Sequence, residues 1–304
     1  MPCYHPLLAY KCDGKVVFDK PFAFAKGFNL PCGQCIGCRL EYSRQWAMRC
    51  VHEAQMHEDN CFITLTFNDE ALKQRSNPKS LDVDEFQRFM KRLRKKYEHK
   101  IRFFHCGEYG DQNGRPHYHA LLFGHDFKDK KLWSKKGGFN LFISEELMQL
   151  WPHGFSTIGA VTFETAAYCA RYVMKKVTGE GAPAHYREVD LDTGEIISER
   201  KSEYCTMSRM PGIGASWYKK YGWTDCHLHD FIVVNGKEVR PPKFYDRELQ
   251  KIDKLEGTDK FEHLKQRRIA AADDPIINYD KRMDDLWVSE EIKIKKLERL
   301  IRNL

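Results

Sequence analysis

The sequence predicts an α+β fold, in which a central antiparallel sheet carries packed helices. A cysteine-rich segment precedes this core and a helical tail follows it. Three observations predict it. Period-two runs of β-branched and aromatic residues alternate with amphipathic helical stretches between residues 39 and 178. Their order is helix, strand, helix, strand, strand, short helix, strand, helix. Gly110, Asn113, Gly114 and Pro116 supply turn chemistry between two adjacent strands. That order suits an antiparallel sheet backed by helices on one face.

Each element has its own warrant. Residues 1–38 are rich in Cys, Pro and Gly and lack helical period, so they read as loops and strands. Leu40, Ser43, Ala47, Val51 and Ala54 follow helical spacing and predict a helix over 39–58. CFITLTFND (61–69) alternates and reads as a strand. Asp82 with Glu85 three residues on predicts a helix N-cap pair. Behind it, Val83, Phe86, Met90, Leu93 and Tyr97 form an apolar stripe opposite a basic face. Strands follow at 100–109 and 117–123, a short helix near 145–151, a strand at 155–163 and a helix at 164–177. Short strands are expected in SEYCTMSRMPGIG and DFIVVNGKEVRPP. From Asp246 the chain turns charged and helical. The expected domains are 1–58 (cysteine-rich segment and leading helix), 59–178 (core) and 179–304 (C-terminal extension with a basic helical tail).

Composition narrows the function classes. The chain has 304 residues, 42% hydrophobic, enough for one large or two modest domains. The net charge of +7 is modest, but it is unevenly placed. Lys91, Arg92, Arg94, Lys95, Lys96, Lys100 and Arg102 are opposed only by Glu98, and Lys265, Arg267 and Arg268 form a second run. Such density suits a phosphate backbone, and a solvated helix face explains it equally well. No apolar stretch approaches the roughly 20 residues of a membrane span, and MPCYHPLLAY lacks the pattern of a secretory signal. The eleven cysteines, an odd count, are therefore expected to be reduced and cytosolic. The sequence shows no internal repeat and no G-x-x-x-x-G-K-[ST] loop, which argues against a built-in ATP-driven helicase.

Three clusters carry chemistry. His117 and His119 sit two apart in a strand, so both imidazoles share one face in a metal-ligand arrangement. Glu108, across the Gly-rich turn, is positioned to add a carboxylate, and His105 is a less favoured third ligand. Tyr168, Tyr172 and Lys175 lie at i, i+4 and i+7 and share one helix stripe. A tyrosine hydroxyl, with a reference pKa of about 10, becomes a nucleophile beside a cation and a metal-polarised phosphate. An ordinary amphipathic helix with hydrogen-bonded tyrosine tips explains the stripe as well. Cys32, Cys35 and Cys38 form a C-x-x-C-x-x-C run whose thiolates can converge on one metal. A structural Zn²⁺ held by Cys3, Cys32, Cys35 and Cys38 is expected, with Cys12 or His5 as other fourth ligands. An iron–sulfur cluster, or reduced thiols packing a loop, are the alternatives. Cys50, Cys61 and Cys106 are expected in the core.

Together, ITLTFND (63–69), PHYHALLF (116–123) and YCARYVMK (168–175) resemble the three motifs of HUH-superfamily replication initiators. The wider match of PCGQCIGCRLEYSRQWAMRC, FHCGEYGDQNGRPHYHALLF, AAYCARYVMKK and GKEVRPPKFYD resembles the initiators of gokushovirus-like microviruses, over most of residues 1–245. One departure is Tyr118, which stands between the histidines where the superfamily often has a bulky apolar residue. The resemblance implies an RRM-like HUH core and favours Glu108 as third ligand of Mg²⁺ or Mn²⁺. It implies that Tyr172, and in turn Tyr168, attack single-stranded origin DNA with Lys175 assisting. Tyr172-x-x-Lys175 fits the motif better as first nucleophile, and the reverse order stays open. The implied process is rolling-circle replication in the cytoplasm of an infected bacterial host, served by a host polymerase and helicase.

Arg39, Arg44, Arg92, Lys95, Lys96 and Arg115 are candidate phosphate contacts. Trp46, Tyr109 and Tyr118 are candidate base-stacking residues. Two other readings remain. One is a non-catalytic single-strand binding module with a zinc knuckle. The other is a tyrosine transposase of the same superfamily.

Overall fold

The strand Pro116–Phe123 carries apolar side chains on both faces, and this governs the architecture. A computed structural model describes residues 3–110, 113–176, 181–190, 192–234, 236–271 and 279–302, without the side chains of 136, 172–175, 279–284 and 298–302. The chain divides into two compact units, Met1–Ser43 with His227–Leu304, and Arg44–Cys226.

The first unit begins with β1 (Leu7–Cys12), β2 (Lys15–Val17) and β3 (Gly27–Leu30), an antiparallel sheet in the order β2-β1-β3. The helix α1 (Ile36–Ala54) contains the boundary between the units.

The second unit continues with β4 (Asn60–Leu65), α2 (Asp69–Lys73), α3 (Val83–Tyr97), β5 (Arg102–Tyr109) and β6 (Pro116–Phe123). Next come β7 (Lys131–Lys136), β8 (Phe139–Ile143), α4 (Glu145–Leu150), β9 (Ser156–Gly159) and α5 (Phe163–Lys175). It closes with α6 (Ala182–Tyr186), β10 (Arg187–Val189), β11 (Ile196–Glu199), β12 (Tyr204–Met207), α7 (Ala215–Tyr221) and a π-helical turn at Trp223–His227. The large sheet has the order β12-β5-β6-β4-β9-β8-β7, and its pairs are antiparallel. The first unit resumes with β13 (Ile232–Val234), β14 (Lys237–Val239), α8 (Lys243–Glu256), α9 (Lys260–Ala270) and α10 (Tyr279–Arg302). The protein is thus α+β, with a large antiparallel sheet and a cysteine-rich N-terminal segment.

Helices cover both faces of the large sheet, not the single face expected. On one face Ile63, Leu65, Tyr118, Ala120 and Leu122 meet Phe86, Phe89, Met90 and Leu93 of α3. On the other, Phe62, Phe104, Cys106, Leu121 and Phe123 meet Ala47 and Cys50 of α1 and Ala166, Cys169 and Ala170 of α5. Each large apolar side chain left in water would forgo about 1.5–3 kcal/mol, so neither face can stay bare. The three cysteines expected in the core, Cys50, Cys61 and Cys106, have no exposed surface.

Local chemistry adjusts the predicted ends. Asp82 does cap α3, but its carboxylate accepts from Asp84 N at 3.3 Å. Glu85 does not close a capping box; its carboxylate binds Arg75 at 2.7 Å and Tyr118 Oη at 2.5 Å. The strand expected to reach 163 stops at Gly159, because Thr162 begins the next helix. There the Thr162 and Thr165 hydroxyls accept each other's backbone N–H at 3.2 and 2.9 Å. The β7–β8 hairpin lies outside the elements expected. Its signal is nonetheless legible, for Gly137 and Gly138 both have positive φ between Lys136 and Phe139, the two-residue turn that hairpins favour.

Candidate metal centre

Antiparallel pairing of β5 with β6 sets Glu108 opposite His117 and Cys106 opposite His119. Paired residues share a face and alternate residues repeat it, so Glu108, His117 and His119 converge. Their ligand atoms lie within 4.8 Å of one another. Glu108 Oε1 stands 2.5 Å from His117 Nε2 and 3.0 Å from His119 Nε2. His105 falls on the opposite face, stacked on Phe86 at 3.5 Å, and cannot be the third ligand.

The rings are oriented from behind. His117 Nδ1 lies 3.1 Å from the Arg115 carbonyl, which can only accept, so Nδ1 carries the proton and Nε2 a lone pair. His119 Nδ1 lies 3.0 Å from Thr64 Oγ1 on β4. Phe62 stacks on the His119 ring at 5.5 Å, and Tyr168 meets it edge-on at 5.0 Å. Thr64 was missed by sequence reasoning, although it lies inside ITLTFND.

These residues fit a divalent cation. Burial pushes the Glu108 carboxyl up, but the Nε2 atoms of His117 and His119, when they carry protons toward it, outweigh burial and hold it below the usual carboxylate range, a role that a cation between them would take over. A carboxylate facing the His117 lone pair at 2.5 Å is repulsive unless a proton or a cation intervenes. Glu108 Oε2 is also buried with no hydrogen-bond partner among the described residues, a cost that a bound cation removes. One carboxylate and two imidazoles leave coordination positions open, as a catalytic ion needs.

The helix α5 brings a hydroxyl to this group. Tyr168 Oη donates to Glu108 Oε1 at 3.2 Å. The backbone of α5 runs on through Tyr172 to Lys175, whose side chains lie outside the described residues.

In the first unit, Cys3, Cys32, Cys35 and Cys38 place their sulfurs within 4.8 Å of one another. Backbone N–H groups surround them. Cys32 N reaches Cys3 Sγ at 3.2 Å, Cys35 N reaches Cys32 Sγ at 3.3 Å, and Cys38 N and Tyr4 N reach Cys35 Sγ at 3.4 Å. Burial pushes the Cys35 thiol up, but the N–H donors of Cys38 and Tyr4 outweigh it and bring it to about 6. This favours the thiolate that metals bind. Neither Cys12 nor His5 joins the group.

The expected DNA contacts fare unevenly. Tyr118 is corrected: its ring has no exposed surface and lies under α3, on the face opposite the histidines. Its hydroxyl accepts from Asp82 N at 3.0 Å and donates to Glu85, so it cannot stack on a base. Tyr109 is likewise buried, its hydroxyl bound to Lys201 O at 2.6 Å. Trp46 packs against Phe104 at 5.0 Å, with the Arg49 guanidinium over its ring. Arg92, Lys95 and Lys96 sit on α3, which covers the face away from Glu108, His117 and His119. Arg92 is engaged with Leu150 O at 2.8 Å, and Lys96 pairs with Glu146 at 3.5 Å. Arg115, two residues before His117, is partly exposed and reaches Asp69 at 2.8 Å. Arg44 is half-buried with Nη1 against Met48 Sδ, and Arg39 is half-buried in the first unit. Among the described residues, no helix is long and apolar enough to cross a membrane.

Fold and site define an α+β protein in which two histidines and one carboxylate that could hold a metal ion converge on a large antiparallel sheet. The family model "Replication-associated protein ORF2/G2P" matches residues 60–177, a span that holds Glu108, His117, His119 and α5. The chain is 33% identical over 257 residues to replication-associated protein VP4 of Bdellovibrio phage phiMH2K, covering 81% of this chain and 76% of that one. It is 29% identical over 253 residues to replication-associated protein ORF2 of Spiroplasma virus 4, covering 79% and 73%. It is 29% identical over 269 residues to replication-associated protein ORF4 of Chlamydia phage 1, covering 83% and 62%. No solved structure matches. The chain belongs to the replication-associated proteins of microviruses, their replication initiators.

Proposed function

We propose that this initiator is a metal-dependent tyrosine endonuclease and strand transferase, which nicks single-stranded viral origin DNA to begin rolling-circle replication and later rejoins the strand. One observation carries the reading. Glu108 Oε1 is approached by His117 Nε2, His119 Nε2 and the Tyr168 hydroxyl at 2.5, 3.0 and 3.2 Å.

Glu108, His117 and His119 would hold Mg²⁺ or Mn²⁺, and imidazole ligands suit Mn²⁺ well. When bound, such an ion supplies Lewis-acid polarisation of the scissile phosphate. The protein's own groups do the rest. A tyrosine oxygen attacks phosphorus in line, forming the 5′-phosphotyrosine bond as the bond to the 3′ oxygen breaks. The leaving oxygen takes a proton and becomes the 3′-OH. Glu108 is placed to take up the hydrogen bond of the Tyr168 proton. The second tyrosine of α5 then attacks the regenerated origin, and the freed 3′-OH displaces the first tyrosine to close the circle. Lys175 is assigned to steady the phosphate. A host polymerase extends the 3′-OH and a host helicase unwinds ahead of it, in the cytoplasm of the infected bacterium. Cys3, Cys32, Cys35 and Cys38 are assigned a structural Zn²⁺.

A non-catalytic single-strand binder would account for cations and aromatics, but not for a carboxylate, two imidazoles and a hydroxyl meeting at one atom. Replication rather than transposition is supported by the names of the relatives. The test is incubation with single strands tiled across the encoding genome and Mn²⁺, followed by a denaturing gel. A covalent adduct is expected, lost with EDTA, with His117→Ala, and with Tyr168→Phe and Tyr172→Phe together. Tight binding with no adduct on any segment would leave the binding module as the better reading.

A further inference from the structure

The metal-bearing face of the sheet continues sideways to an aromatic pair that the proposed reaction does not use. Thr64 pairs with His119 on one side and Thr157 on the other. One step along, Thr66 N donates to Phe155 O at 2.9 Å, so the same ladder carries the face of His117 out to Phe155. Two strand spacings, roughly 10 Å, separate the two. Gly154 makes this approach possible: a Cβ there would lie 2.6 Å from the backbone of Thr66, Phe67 and Asn68.

Phe155 is joined by Trp133, with ring centroids 5.5 Å apart. The ladder between β7 and β8 shifts between Leu132 and Ser134, which makes Trp133 the extra residue of a bulge. Bulges re-aim side chains beside functional sites. Here the result is a large ring that stays 58% exposed, beside a phenylalanine 44% exposed. Burial of Trp133 inside the protein would contribute stability that this geometry forgoes. The surroundings are cationic. Lys131 shares the face and makes an exposed pair with Glu145 at 2.9 Å, a contact of little worth that a phosphate can replace.

We propose that Trp133 and Phe155 form a base-stacking platform for the single strand, on one side of the scissile phosphate and a few nucleotides from it. Flat exposed rings beside a lysine are what an unpaired strand binds without sequence preference. A duplex, whose bases are already stacked, gains nothing from them. This inference rests on the reading of the chain as an enzyme acting on single-stranded DNA. The platform also fills the role expected of Tyr118 and Tyr109, whose rings are buried.

The test uses the full chain carrying Tyr168→Phe and Tyr172→Phe, which cannot cut under that reading, with Mn²⁺ present. Affinity for a short fluorescein-labelled single strand of mixed sequence is measured by anisotropy across a salt series. Trp133→Ala and Phe155→Ala should each weaken binding about ten-fold, the scale of one lost base stack. Trp133→Phe should retain most of the affinity. The slope against salt should not change, since no phosphate contact is removed. Unchanged affinity in the double alanine variant would overturn the platform and leave the patch to a protein partner. If the parent fails to bind single strands, both readings fall. If the parent binds and the alanine variants do not, but no adduct forms with intact tyrosines, the nuclease reading fails alone.

Discussion

The Tyr168 hydroxyl donates to Glu108 Oε1 at 3.2 Å, linking α5 to the carboxylate on β5 that meets His117 and His119. Its consequence is tested by separating the two tyrosines. Tyr168→Phe or Tyr172→Phe alone should still form an adduct but fail in repeated cycles of cutting and joining. The double variant should form none. Quantifying circles against adducts on a gel decides it; full joining over repeated rounds by each single variant would end the two-tyrosine scheme.

Thr64 fixes the His119 ring from behind at 3.0 Å. Thr64→Val keeps the shape and removes that partner. Mn²⁺ affinity, read by calorimetry, should drop about 10–100-fold, as loss of such outer partners does elsewhere. The melting temperature should stay close to the parent's. Unaltered Mn²⁺ affinity would mean that the other contacts of His119 hold its ring without Thr64.

Tyr118 separates packing from DNA recognition. Tyr118→Phe removes the hydroxyl shared by Asp82 and Glu85. The cost should be about 1–3 kcal/mol of stability, because buried partners lose their hydrogen bonds. Affinity for single strands should be unchanged. A large loss of affinity with intact stability would restore Tyr118 as a DNA contact.

Buried histidines make the protein acid-sensitive. His52 is stacked on Trp217 at 3.6 Å, and burial lowers its pKa from 6.5 to about 4. Burial, aided by His99, does the same to His125, whose Nε2 has no hydrogen-bond partner among the described residues. Between about 6.5 and about 4 the unfolded imidazoles bind protons and the folded ones do not. Stability must therefore fall as pH falls through that window. Calorimetric melting across it should show the decline, and His52→Gln should make it shallower, leaving the share of His125. A melting temperature independent of pH there would refute the assignment.

The four-cysteine group predicts one zinc ion per purified chain, measured by elemental analysis. Cys35→Ser should lose the metal and destabilise the first unit, because binding energy at such sites is folding energy. Folded parent protein free of zinc would remove the proposal.

Much of the site is legible in the order of residues alone. Period two places His117 and His119 on one face, and the C-x-x-C-x-x-C spacing draws Cys32, Cys35 and Cys38 together. Cys3, from 29 residues upstream of Cys32, also joins the group as expected. The Gly-Gly turn of the β7–β8 hairpin is equally plain, since Gly137 and Gly138 supply the positive φ angles that a two-residue turn needs. By contrast, nothing in the run of residues distinguishes Tyr118, buried, from Trp133, exposed.

Local spacing determines which side chains of a strand or helix share a face, because backbone geometry repeats every 2 or 3.6 residues. The sequence by itself therefore determined the shared face of the histidine pair and the convergence of the cysteine run, and most of the order of the core elements, the β7–β8 hairpin and α2 excepted. The preference for Glu108 over His105 was already drawn from the sequence; its physical ground is the register of β5 on β6, where a slip of one residue would have exchanged their faces. Which aromatics meet solvent was decided by α3 covering one face, α1 and α5 covering the other, and a bulge turning Trp133 outward. These are contacts between distant segments, set by where apolar area can be buried, and only the tertiary structure contains them.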